Sequence, residues 1–134
     1  MKTIDTIEGI GPAYAEKLAA AGIDSVEALL DKAGAKKGRV ALAAETGISE
    51  KVILTWVNMA DLFRVNGVAG QYAELLVAAG VDTVKELAQR NAESLHAKMT
   101  EANEAKNVAR QVPAVKSIEK WIADAKGLPQ AVTH

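Results

Sequence analysis

The groups in this sequence best placed to do chemistry are backbone amides. In the run Ile7-Glu8-Gly9-Ile10-Gly11-Pro12-Ala13-Tyr14-Ala15-Glu16-Lys17-Leu18 two glycines flank a single apolar residue and a helix pattern follows. Glycines let a chain reverse within a few residues. Ile10 between them is placed to plug a core, and the new helix begins with N–H groups that have no intrahelical acceptor. Such a helix start can hold a phosphate, so Gly9, Ile10 and Gly11 are candidate anion ligands. Lys17, one helical turn on, and Lys36, Lys37 and Arg39 would supply auxiliary charge. The last three lie in the run Gly34-Ala35-Lys36-Lys37-Gly38-Arg39, which reads as a solvated basic loop.

Side-chain chemistry is poorly provided for. The 134 residues contain no cysteine, which removes disulfides, thiolate nucleophiles and sulfur-ligated metal sites. His96 and His134 are far apart in sequence and have no partner at ligand spacing, so no metal or other cofactor is expected. The carboxylates are scattered over polar helix faces, and no serine has a plausible histidine or lysine partner. The chain therefore reads as a binding protein without catalytic residues. Sixteen basic against 17 acidic residues give a formal charge of -1, so any contact with nucleic acid must be local. The first residues lack the apolar core of a signal peptide, and no stretch approaches a membrane span, which makes a cytoplasmic location the expectation.

An internal repeat supplies the elements that must position these groups. Residues 7–33, IEGIGPAYAEKLAAAGIDSVEALLDKA, and 65–91, VNGVAGQYAELLVAAGVDTVKELAQRN, are offset by 58 and identical at eleven of 27 positions, from Gly9/Gly67 and Tyr14/Tyr72 to Gly22/Gly80 and Leu29/Leu87. Trp56 and Trp121 recur at an offset of 65, so the second copy carries about seven extra residues between its landmarks. Gly22 and Gly80 each follow an apolar helical run and precede an apolar residue, the pattern of a left-handed C-terminal cap. Asp24 with Glu27, and Thr83 with Glu86, have the spacing of capping boxes for the next helices. A helix is expected from about Gly38 to Thr46, ending at Gly47. Ser49 caps one reaching about Phe63, Asn91 caps one through His96 and Met99, and Pro113 opens a last helix that stops at Gly127. Leu18, Leu29, Leu76 and Leu87 are expected in the core. No segment alternates with period two, so the fold class is all-α, with units at 1–64 and 65–134 packed as one compact domain with pseudo-two-fold symmetry.

The Ile7 to Leu18 run resembles a helix-hairpin-helix motif. In DNA-binding members of that class the position filled by Ala13 is often basic, and here Glu8 occupies the turn. The second copy departs further, since Ala69 stands where the second glycine belongs and Gly70 would have to shift the turn. The segment Leu42 to Trp56 looks like a helix-turn-helix, with Ala43, Gly47 and Ile53 at its small, turn and core positions. Glu50, Lys51 and Thr55 are a poor set for reading base edges, which favours plain three-helix packing.

Together the IEGIGPAYAEKLAAAGI, ETGISEKVILTWVNMADL and AAGVDTVKELAQRN-ESLHAKM blocks resemble the bacterial domain of unknown function 4332 family over about Ile4 to Leu128. That resemblance implies a helix-hairpin-helix fold and, by analogy, binding of DNA or protein without catalysis. Two readings stay open. In one, two tandem helix-hairpin-helix units contact a nucleic-acid backbone without sequence specificity. In the other, the hairpins serve only helix packing and the chain is a protein-interaction or scaffold module that binds another protein or itself.

Overall fold

Pro12 opens the first helix, where its fixed φ is already helical and its missing N–H is no loss. In the computed structural model, which describes residues 2–68 and 70–134, eight helices follow one another: α1 Pro12–Ala20, α2 Val26–Ala33, α3 Lys36–Thr46, α4 Glu50–Leu62, α5 Gly70–Ala78, α6 Val84–Ala88, α7 Ala92–Lys106 and α8 Val115–Lys126. A short 3-10 turn at Ile4–Thr6 precedes them. The described residues form no strand, only an isolated antiparallel bridge between Thr3 and Ser25, so the protein is all-α. No helix among the described residues is long and apolar enough to cross a membrane.

The chain divides into two compact units, Met1–Asp61 with Ala131–His134, and Leu62–Gln130. Within the first, α1 ends on Gly22 at φ 85°. Gly22 N–H donates to Ala19 O at 3.0 Å and Ile23 N–H to Leu18 O at 2.8 Å. These two bonds make a Schellman cap, closed by the buried Ile23 side chain. The second unit repeats it: Gly80 N–H donates to Val77 O at 3.0 Å and Val81 N–H to Leu76 O at 2.9 Å.

The next helix of each unit starts on a hydroxyl. Ser25 Oγ accepts from Ala28 N–H at 3.1 Å, and Thr83 Oγ1 from Glu86 N–H at 3.4 Å. Ser25, not Asp24, is thus the first cap, and Glu27 does not complete its box. Its carboxylate instead accepts the Lys2 amide, at 3.2 Å to Oε1, which ties the amino-terminal segment to α2. The 58-residue offset pairs Ser25 with Thr83 and would have found this.

Further along, α3 begins two residues before Gly38, and α4 is capped by Ser49, whose Oγ accepts from Val52 N–H at 3.2 Å. Asn91 caps α7 through Ser94 N–H at 3.0 Å. That helix runs well past Met99 to Lys106, because Thr100, Asn103 and Glu104 are compatible with a solvated face. At 15 residues it is longer than the 11 of α3, which absorbs part of the insertion between the landmarks. The rest is the segment before α8, fastened by Asn103: its Nδ2 donates to Ala109 O at 3.0 Å and its Oδ1 accepts from Ala109 N–H at 2.9 Å. Pro113 lies ahead of the extended cap residue Ala114 and not in the first turn of α8, since its ring fits extended chain as well as a helix start.

Leu18, Leu29, Leu76 and Leu87 are all fully buried. The faces of α4 and α8 match at the offset of 65: Ile53/Ile118, Trp56/Trp121, Val57/Ile122 and Ala60/Ala125 are buried in both. Tyr14 packs on Trp56 with ring centroids 5.0 Å apart, and Tyr72 on Trp121 at 5.4 Å. The aromatic pair retained in both copies is therefore a packing device within each unit.

Candidate functional site

The turn before α1 is built from the core outward. Ile7 and Ile10 are buried, and Ile10 N–H donates to Ile7 O at 3.2 Å across a turn in which Gly9 has φ 96°. A Cβ on Gly9 would sit in ordinary contact with Trp56 Nε1 at 3.5 Å, so it is the left-handed backbone that holds glycine here. The Ile10 amide is consumed by this turn and does not reach outward. Of the expected ligand set, Gly9 and Gly11 are exposed and Ile10 is buried.

Gly11 is a different kind of glycine. Its φ of -88° and ψ of -174° are ordinary extended values, and a Cβ there would meet nothing within 4 Å. As the cap of α1 it offers no side chain to the helix start. Among the described residues the N–H groups of Gly11, Ala13 and Tyr14 carry no hydrogen bond, whereas Ala15 N–H already closes on Gly11 O at 2.9 Å. Residues 11–14 are all exposed, Tyr14 to 40 %. The outward donors of the first hairpin are therefore these three amides, with exposed Lys17 on the same helix and exposed Glu8 at the turn.

In the second unit the glycine turn has one further bond. Val68 N–H donates to Val65 O at 3.1 Å and Gly67 has φ 93°, as in the first, but the Asn66 amide donates to Asp124 Oδ2 at 3.0 Å. An internal carboxylate thus holds the Asn66 amide, whose counterpart in the first copy is that of Glu8. Ala69, which stands in place of the second glycine, lies outside the described residues.

The basic run is not a loop. Lys36, Lys37, Gly38 and Arg39 form the first turn of α3. Arg39 is only 3 % exposed and cannot serve as a surface charge. Its Nη1 donates to Ala33 O at 3.1 Å and Gly34 O at 2.7 Å, the orphan carbonyls at the end of α2. Its Nη2 donates to Thr133 O, and Thr133 N–H returns to Gly34 O at 2.9 Å, so one guanidinium caps a helix and pins the segment 131–134. Burial pushes this guanidinium below its ordinary pKa, with the nearby Glu50 carboxylate opposing the shift. It stays cationic all the same.

Lys36 and Arg39 line a depression of about 310 Å³ with Glu50, Lys51, Leu54 and His134. No hairpin residue lines it, and exposed Lys37 is not part of its wall. Glu50 and Lys51, weighed above as base-reading positions, thus face the α3 start, and Ile53 is buried.

These features define an all-helical protein made of a duplicated four-helix sequence. A family model described as a domain of unknown function, DUF4332, matches residues 8–128, and the chain belongs to that family. No curated protein and no solved structure matches it.

Proposed function

We propose that the chain is a non-catalytic binding module of two tandem helix-hairpin-helix units, in which the first hairpin holds a nucleic-acid phosphate and the second is structural. The observation that carries this reading is Gly11. Backbone conformation and space would both accept a side chain there, and Ser, Asp or Asn at a helix cap would satisfy the amides behind it. Glycine leaves Gly11, Ala13 and Tyr14 N–H open at the positive end of the α1 dipole. A phosphate oxygen is the natural acceptor. Lys17 adds one charge, and the buried Arg39 adds none.

Backbone amides read no sequence, so the affinity is weak, indifferent to base order and sensitive to salt. The large apolar side chains exposed among the described residues are Tyr14 and Val40, on different helices, which is too little for a hydrophobic docking face.

The test is Gly11→Asp. Its carboxylate would cap α1 and fill the phosphate position from within, so thermal stability should hold or rise by a few tenths of a kcal/mol while DNA binding is lost. Gly11→Ser caps without charge and should weaken binding less. Duplex DNA titrations at about 50 and 200 mM salt provide the readout. Undetectable binding of the unaltered chain at the lower salt, or equal binding by Gly11→Asp, refutes the reading and leaves the protein-interaction module as the account to pursue.

A further inference from the structure

The segment Ala131–His134 belongs to the first unit, although the whole second unit separates the two in sequence. Its seat holds the main chain of one residue from both sides. Thr133 N–H donates to Gly34 O at 2.9 Å, and Arg39 Nη2 donates to Thr133 O. The neighbouring Val132 side chain is buried, while Thr133 and His134 are exposed. Extended peptides are recognised in this way, through main-chain bonds with selected side chains turned inward.

The seat is fitted to its occupant. Gly34 has φ -64° and ψ -35°, values that any residue adopts. Space rather than backbone conformation requires glycine here, since a Cβ would run into the carbonyl oxygens of Leu30 and Ala131. The second copy shares the helix packing but not these residues: at the 58-residue offset it has Ala92 for Gly34 and Ala97 for Arg39. Arg39 has a further task at the end of α2, whereas Gly34 has none beyond admitting the chain that crosses it.

The passage from one unit to the other is short. Leu128 N–H donates to Ala125 O at 3.2 Å and Arg64 Nη2 to Pro129 O at 2.7 Å, so the chain stays with the second unit as far as Pro129. From Ala131 onward it lies with the first, which makes Gln130 the hinge. The seated segment is an occupant whose fit is seen directly, and every copy of the chain carries both seat and segment. Exchange between copies therefore sacrifices no contact and is set by concentration against that of the tethered segment, on the order of 1 mM. We propose that residues 131–134 are an exchangeable strap, and that the seat on the first unit takes the strap of a second copy of this chain. This association does not depend on the phosphate reading of the first hairpin.

The chain has no cysteine, so one introduced thiol per copy reports exchange. Ala35→Cys marks the seat beside Gly34, Thr133→Cys marks the strap, and Lys85→Cys marks the second unit as a collision control, all at exposed positions. Full-length variants, shown to be folded by circular dichroism, are mixed in pairs at about 1 mM and oxidised, and the products are read by mass spectrometry. Thr133→Cys should join Ala35→Cys at least tenfold faster than it joins Lys85→Cys. An excess of a synthetic peptide spanning residues 128–134 should suppress that joining, and the same peptide carrying Val132→Asp should not. The double variant Ala35→Cys with Thr133→Cys, kept dilute, should close within one chain. Joining no faster than the control, indifference to the parent peptide, equal suppression by the Val132→Asp peptide, or failure of the dilute double variant to close would overturn the proposal.

Discussion

Replacing Arg39 separates a structural guanidinium from a phosphate ligand. In the folded chain it donates to Ala33 O, Gly34 O and Thr133 O, two of them in buried surroundings. Arg39→Met keeps much of the apolar stem and removes every donor. A buried acceptor left without its partner costs about 1–3 kcal/mol, and hydrogen bonds from a charged donor lie toward the upper end. Thr133 is exposed, so its carbonyl can turn to water, and Gly34 O keeps the Thr133 N–H, which leaves the buried Ala33 carbonyl as the acceptor without a partner. The loss should therefore be about 3 kcal/mol, or roughly 10 °C in melting temperature for a chain of this size. Arg39→Lys should recover little of it, because one ammonium cannot span three carbonyls on two segments. Urea melts followed by circular dichroism give the stability. Conditions where both proteins are folded then give DNA affinity, which should be unchanged. A variant as stable as the parent but with a shallower salt dependence of DNA binding would show that Arg39 is a surface charge and that the capping argument is wrong.

Two further substitutions probe the same unit. Gly38→Ala would drive its Cβ into the Lys32 carbonyl, with the Ala33 Cα at 3.4 Å behind it, so α2 and α3 must separate. The cost should exceed the roughly 1 kcal/mol that alanine ordinarily gains over glycine inside a helix, making the variant less stable in thermal melts. Ser25→Ala should cost about 1 kcal/mol through loss of the α2 cap and Asp24→Ala far less, an order that urea midpoints would reveal.

The helices and their caps were legible because they rest on local rules that repetition states twice. Gly22 and Gly80 announce the same Schellman turn, and the paired leucines and tryptophans mark the same buried faces. Where the reading failed, the deciding partner was distant in sequence. Nothing near Arg39 announces that Thr133 lies against it, so a buried cap looked like loop charge. Ile10 was expected to offer an amide that its own turn consumes. The Asn66 to Asp124 bond joins residues 58 apart and left no local signature. Gly11 shows the converse, for its sequence context suggests a glycine needed by the turn, and its φ of -88° shows a glycine the backbone does not need.

That distinction points to how duplicated chains divide their labour. A glycine at φ 96° or 93° is held by its left-handed backbone, and both copies retain it. The groups around it are free to diverge once packing no longer constrains them. In the first copy the divergence leaves a helix start bare, with Gly11 for a cap and no carboxylate bonded to its amides. In the second it brings Asp124 onto the Asn66 amide, in a depression that Ser117 and Lys120 also line. An anion that fits the first turn would compete at the second with a carboxylate held in place by the Asn66 amide, losing Coulomb energy as well as that hydrogen bond. If the first turn holds a phosphate as proposed, the second should bind it more weakly, and removing the carboxylate with Asp124→Asn is the direct test.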